Sequence, residues 1–184
     1  MITIFGGCMG SGKTENLIKT YNLTKEDKKN NVLLVKSILD RQKTYVQSRN
    51  GLKALANLVL KSDEVGVIDC TIREKNITDC FIDEAQFFDY DLVYLVQNNT
   101  RVNFYLSGIE TDYQKKPLGF LGVIRKLCKH TYMYIDMECQ NCNRFSAEWN
   151  YRLVKGQGVI LVGDKEYKSV CSMCYDVLDK GDLK

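Results

Sequence analysis

Proline occurs once, at Pro117, and histidine once, at His130. A Ser-His-Asp or Cys-His catalytic arrangement would therefore have to be built on His130. That residue lies near the end of a helix predicted over 120–130, where a histidine is usually a surface residue. Long apolar runs are missing too: none approaches the roughly 20 residues that a membrane span needs. The opening MITIFGGCMGSGKT has no basic segment and no small-residue cleavage site, so no leader peptide is expected. Nor is charge of one sign concentrated. The net charge is +3, and no basic run is longer than a pair such as Lys28-Lys29 or Lys115-Lys116. A dedicated nucleic-acid binder usually gathers its charge on one face, so this scatter argues against that class. There is no internal repeat and no low-complexity tract.

What is present fits one well-buried domain with a small appendage. The 184 residues are 45% hydrophobic and 27% charged, the ordinary balance of a soluble globular protein. Cysteine is the abundant exception, with eight copies. The chain is too large for a secreted disulfide scaffold, and four of the eight form C-x-x-C pairs, which in a cytosolic setting point to metal. The cytoplasm is the expected compartment.

Apolar residues next locate the elements. ITIFGG at 2–7 reads as a buried strand ended by glycines, and Leu17, Ile18, Tyr21 and Leu23 give helical spacing from Lys13 to about Lys25. NVLLVK at 31–36 is a second strand, and the polar stretch 37–60 predicts a loop with a short helix. Two further apolar runs follow, VGVID at 65–69 and CFID at 80–83. DLVYLVQ at 91–97 reads as a helix, VNFYLSG at 102–108 as a strand and FLGVIRKLCKH at 120–130 as a helix. Such alternation implies a parallel sheet with helices on both faces, over residues 1–135. Residues 136–184 differ, with the paired cysteines and two β-like runs, FSAEWNYRLV and GVILV, separated by KGQG. They read as a hairpin-built zinc module.

Three motifs carry chemistry. Gly7-Cys8-Met9-Gly10-Ser11-Gly12-Lys13-Thr14 matches G-x-x-x-x-G-K-[ST], the P-loop. Its glycines let successive N–H groups point at phosphate, Lys13 reaches the β- and γ-phosphates, and the Thr14 hydroxyl ligates Mg²⁺. A strand before it and a helix after it supply the required context, and the helix N-terminus faces the anion. Cys80–Glu84 supplies the second half: Asp83 ends a buried strand and would organise Mg²⁺, while Glu84, where the chain leaves the sheet, could face a substrate. The plainer alternative makes both solvated acids at a strand end. With histidine set aside, Glu84 is the best-placed general base. Cys139-x-x-Cys142 and Cys171-x-x-Cys174 can close a tetrahedral zinc site with no open position, hence a structural one, against the alternatives of a redox pair or unconnected thiols. Cys8, Cys70, Cys80 and Cys128 read as ordinary thiols, with Cys70 and Cys80 expected to be buried.

In this order and spacing, the motifs closely resemble the cytosolic, zinc-containing thymidine kinases, the type II family, from Gly7 to Tyr175. Asp83–Phe88 (DEAQFF) resembles the family's second motif, Gly108–Pro117 (GIETDYQKKP) its substrate stretch and Glu166–Tyr175 (EYKSVCSMCY) its closing motif. The resemblance implies a RecA-like P-loop fold with a C-terminal zinc-binding lasso domain. It implies transfer of the γ-phosphoryl group of ATP to the 5′-hydroxyl of deoxythymidine. Glu84 would be the base, Asp83 and Thr14 would organise Mg²⁺, and Lys13 would hold the transferred phosphate. Phe87 and Tyr167 would line the base pocket with Gln86 as a polar neighbour. The 159–167 run, with Ile160, would close over the pyrimidine as the lasso. A homotetramer and feedback inhibition by the triphosphate end product are likewise implied. Arg152 matches a basic position before the lasso. The chain departs from the family pattern at Asp40-Arg41-Gln42, where the usual Asp-x-Arg has its arginine displaced by one, and at Leu118, Asn150 and Val162 in the pocket walls.

Two rival classes are open to direct test. A P-loop ATPase with a zinc ribbon acting on nucleic acid would need a second ATPase core or a basic groove. A non-enzymatic zinc module with a degenerate nucleotide site is opposed by intact Lys13, Thr14, Asp83 and Glu84.

Overall fold

Apolar side chains alternate to both faces of the central strands, a pattern that requires cover on each side. The computed structural model describes residues 1–27, 29–40, 44–154 and 165–181. The first half runs β1 (Ile2–Gly6), α1 (Lys13–Glu26), β2 (Val32–Ser37), β3 (Tyr45–Gln47), β4 (Lys53–Leu55), β5 (Leu58–Leu60) and α2 (Val65–Glu74). Then come β6 (Asp79–Asp83), a 3-10 turn (Ala85–Phe87), α3 (Asp91–Asn98), β7 (Asn103–Ser107), α4 (Leu121–Leu127) and β8 (Thr131–Tyr134). Six strands form one sheet in the order β5-β2-β6-β7-β1-β8, with every neighbouring pair parallel.

On one face Ile4, Val35, Ile82 and Leu106 pack beneath α2, α3 and α4, through Ile68, Leu92 and Ile124 among others. On the other, Phe5, Leu34 and Phe81 meet Leu17, Ile18 and Tyr21 of α1 and Val46 and Ala54 of the β3–β4 hairpin. Phe81 stacks on Tyr105 at 4.3 Å and takes the edge of Tyr21 at 5.4 Å. The parallel α/β architecture with helices on both faces is thus as the apolar periodicity implies.

Three local readings change, and one strand is added. Within 37–60 the described residues hold three short strands and no helix. Val46 and Ala54, paired and buried between exposed neighbours, show the period of two that makes β3 and β4 a hairpin. Of the two apolar runs, only 80–83 is a strand. The run 65–69 opens α2, where Val65, Ile68 and Ile72 form a stripe three to four residues apart. Cys70 is exposed on that helix, not buried; Cys80 is fully buried. Lastly, β8 occupies the sheet edge as a largely exposed strand, so it lacks the apolar run that marks a buried one.

The C-terminal part holds β9 (Trp149–Arg152) paired antiparallel with β10 (Tyr167–Val170), then α5 (Ser172–Gly181). A hairpin is present as expected, but its second strand is 167–170; the GVILV run at 158–162 lies outside the described residues. Tyr151, Val170 and Tyr175 pack with the cysteines in a separate small core.

Candidate active site

Parallel strands release their connecting loops at a common carboxyl edge, and β1, β2, β6 and β7 all do so here. After β1 the chain passes through Gly7, Gly10 and Gly12 at φ of 133°, 85° and 97°, a left-handed path that ends as α1 begins at Lys13. At Gly7 a side chain is excluded as well, because a Cβ would stand 2.5 Å from the Ile135 carbonyl oxygen. The buried Lys13 ammonium donates to the Cys8 carbonyl at 2.7 Å, bending across the loop it belongs to. Burial pulls its pKa down, while the Glu84 carboxylate favours the charged form.

The loop is also held from outside. Asn150 of β9 accepts the Met9 N–H at 2.8 Å, and the Ser169 hydroxyl of β10 donates to the Met9 carbonyl at 2.7 Å. Neither contact could be read from the sequence, since the partners lie 141 and 160 residues apart.

Asp83 ends β6 almost wholly buried, and the Thr14 hydroxyl donates to its carboxylate at 3.1 Å. Burial, with Glu84 next to it, pushes the Asp83 carboxyl up to about 7. Two oxygen ligands brought together under an unfavourable negative charge suit a hard divalent cation, which would favour the ionised form. Glu84 is half-buried and left-handed, at φ 51° and ψ 45°. This unusual conformation for a non-glycine residue turns its side chain out of the strand line, the kind of backbone strain that clusters at functional sites. Buried Gln86 donates to the Glu84 carboxylate and accepts the Ile109 N–H at 3.2 Å, which orients both side chains.

One pocket joins these groups. Gly10, Gly12, Lys13, Thr14, Asp83 and Glu84 line it together with Gln86, Phe87 and Tyr167. Gly7 and Ser11 stand behind the wall, Ser11 with its buried hydroxyl unpartnered among the described residues. Ile160 and Arg41 lie outside the described residues. Asp40 lines the pocket and pairs with the fully buried Lys36 at 2.6 Å. Leu118, Asn150 and Tyr113 are also on the wall, and the Arg152 guanidinium lies 5.0 Å from the Tyr113 ring centre. His130 is remote from the pocket lining, its Nδ1 2.9 Å from the Cys128 carbonyl. Sequence reasoning missed Ser48 and Arg49, which line the same pocket from the β3–β4 turn. The Asn50-Gly51 pair between alternating residues is the hairpin signal that would have found them.

Cys139, Cys142, Cys171 and Cys174 place their sulfurs within 4.8 Å of one another, with Cys142 and Cys171 at 3.9 Å. Four thiolates about 2.3 Å from a zinc ion stand roughly 3.8 Å apart, so the cluster fits a tetrahedral structural site. One knuckle closes by the Asn143 N–H to the Cys139 carbonyl, the other by the first turn of α5. Just beyond it, the Tyr175 hydroxyl donates to the Tyr113 carbonyl at 2.6 Å, and Lys115 sits 4.0 Å from the Tyr175 ring and 4.9 Å from that of Trp149. The cysteine module thereby clasps the loop that bears Tyr113.

A P-loop and a strand-end carboxylate pair sharing one pocket define the class: a P-loop α/β protein arranged for nucleotide phosphoryl chemistry. The thymidine kinase family profile matches residues 1–175, and the chain belongs to that family. It is 32% identical to a thymidine kinase of Mycoplasma genitalium, over 95% of this chain and 82% of that protein. A thymidine kinase of Pseudothermotoga lettingae is 27% identical over 98% of each chain. One of Porphyromonas gingivalis is 26% identical over 95% of this chain and 84% of its own. Among solved structures, the Pif1 helicase of Candida albicans aligns with 73% of this chain and 36% of its own at a TM-score of 0.42 and 12% identity, too distant to bear on fold or chemistry.

Proposed function

We propose that this chain transfers the γ-phosphoryl group of ATP to the 5′-hydroxyl of deoxythymidine, in nucleotide salvage. The observation that carries the reading is Glu84, held left-handed on the wall of the pocket that Lys13 and Thr14 also line. As the bond from the nucleoside 5′-oxygen to the γ-phosphorus forms, the bond to the β–γ bridging oxygen breaks and ADP leaves. The hydroxyl proton passes to the Glu84 carboxylate. Lys13 and the loop amides hold the transferring phosphate, and catalysis is mainly positioning and charge neutralisation. Mg²⁺, bound with ATP at Thr14 and Asp83, would supply further neutralisation. Phe87, Gln86 and Tyr167, with Ile160 from the lasso, would hold the pyrimidine.

The same reading assigns ATP binding to residues 1–135 and nucleoside closure to 136–184, with zinc at the four cysteines as a cross-link. It makes the protein a cytoplasmic homotetramer with no nucleic-acid partner. No described helix is long and apolar enough to cross a membrane.

Purified protein with Mg-ATP is expected to phosphorylate labelled thymidine. Glu84→Gln should lose about 10²–10⁴-fold in kcat while ATP affinity is retained. A wild-type rate from that variant would remove Glu84 as base. DNA-stimulated ATP hydrolysis without nucleoside phosphorylation would overturn the kinase reading altogether.

A further inference from the structure

The β3–β4 hairpin stands over the P-loop, and nothing in the phosphotransfer reading uses it. Its turn is docked on α1: the Asn50 side-chain amide donates to the Glu15 carboxylate at 2.7 Å, and Val46 and Ala54 are buried beneath. The buried Lys36 ammonium donates to the Tyr45 carbonyl at 2.8 Å, tying down the start of β3. The turn itself is closed by the Ser48 N–H to the Leu52 carbonyl at 2.8 Å and the Gly51 N–H to the Ser48 carbonyl at 3.1 Å. From this held turn Ser48 and Arg49 line the pocket that the P-loop residues also line.

Arg49 lies directly on the loop. A Cβ at Gly10 would stand 2.3 Å from a terminal guanidinium nitrogen of Arg49, so the absence of a side chain at position 10 is what admits the arginine. Ser48, 6% exposed, is among the residues lining the pocket, and its buried hydroxyl has no hydrogen-bond partner among the described residues. A buried hydroxyl in that state carries a desolvation cost that a ligand oxygen would remove. A planar guanidinium suits the oxygens of a terminal phosphate better than an ammonium does.

We propose that the β3–β4 turn is a second phosphate grip, with the Arg49 guanidinium and the Ser48 hydroxyl contacting the γ-phosphate of a bound nucleoside triphosphate opposite Lys13. The contact strengthens as charge gathers on the transferring group, so Arg49 acts in catalysis as well as in binding. Its catalytic part rests on the phosphotransfer function proposed above; its binding part does not.

The test compares ATP with ADP on the full chain by calorimetry with Mg²⁺, alongside kcat and the thymidine KM. Arg49→Ala is expected to weaken ATP about tenfold while leaving ADP within about twofold. Its kcat should fall about 10²–10³-fold, with thymidine KM and melting temperature unchanged, and added guanidinium should restore part of the rate. Ser48→Ala should weaken ATP selectively without lowering the melting temperature, since the hydroxyl has no partner among the described residues to lose. Arg49→Lys keeps the charge without the fork and should fall between wild type and Arg49→Ala. Equal losses for ATP and ADP, or an unchanged ATP preference in Arg49→Ala, would overturn the proposal. If the wild type binds ATP but phosphorylates no thymidine, the kinase reading fails while the ATP–ADP comparison still decides the grip.

Discussion

Asp83 and Glu84 are consecutive carboxylates that sit in different surroundings. Asp83 still has strand geometry, so its side chain stays inside the sheet edge, bonded by Thr14. Glu84 adopts φ 51°, leaves the strand line and meets Gln86 in the pocket. Their adjacency and strand-end position were legible in the sequence because both follow from a short apolar run; the left-handed turn was not. Asn150 is the opposite case. The family resemblance marks it only as a pocket-wall position, and nothing in its neighbours shows that it is buried and accepts the Met9 N–H of the P-loop. Asn150→Ala would leave that N–H without its acceptor, at a cost of about 1–3 kcal/mol. Urea denaturation is expected to show that loss, together with weaker ATP binding. Unchanged stability would mean that the loop does not depend on this clasp.

At the scale of elements, the buried strands β1, β2, β6 and β7 were legible because continuous apolar runs flanked by turn residues have few other readings. The short elements were not. Three-residue strands such as β3 and β4 carry too little pattern to outweigh their polar surroundings, and VGVID is as good an apolar helix start as a strand. Packing decided both, with Val46 turned toward α1 and Ile68 toward α3. The loop 111–117 illustrates how one element positions another. Asp112 accepts the Gln114 and Lys116 N–H groups at 2.8 and 2.9 Å, giving the loop its shape, and Tyr175 of α5 fixes it in place through the Tyr113 carbonyl. Tyr175→Phe removes that single hydrogen bond and keeps the ring beneath Lys115. A severalfold rise in thymidine KM with kcat and ATP affinity nearly unchanged is expected from steady-state kinetics. A matched fall in kcat and stability would instead make the contact purely structural.

For the molecule as a whole, the described residues tie the cysteine module to the rest of the chain at the P-loop through Met9, at the 111–117 loop through Tyr113, and at β8, where the Tyr134 hydroxyl donates to the Ala147 carbonyl at 2.8 Å. A metal at the four thiolates would therefore stabilise more than its own small core. Chelation of zinc from the purified protein is expected to free four thiols to a chromogenic reagent, lower the melting temperature and weaken ATP binding. Release of metal with unchanged ATP affinity would show the two halves to be uncoupled.

The sequence alone determined the chemistry that consecutive residues can express: a phosphate loop from Gly7 to Thr14, a carboxylate pair at a strand end, and two thiolate pairs whose residue type admits few uses. These signals are local, so each survives without knowledge of the fold. Only tertiary structure decided that Arg49 rests on Gly10, that Asn150 and Ser169 hold Met9, and that Tyr175 holds Tyr113. Those partners are distant along the chain, and what brings them together is burial of the sheet's two apolar faces and of the small cysteine core. No single segment carries that information.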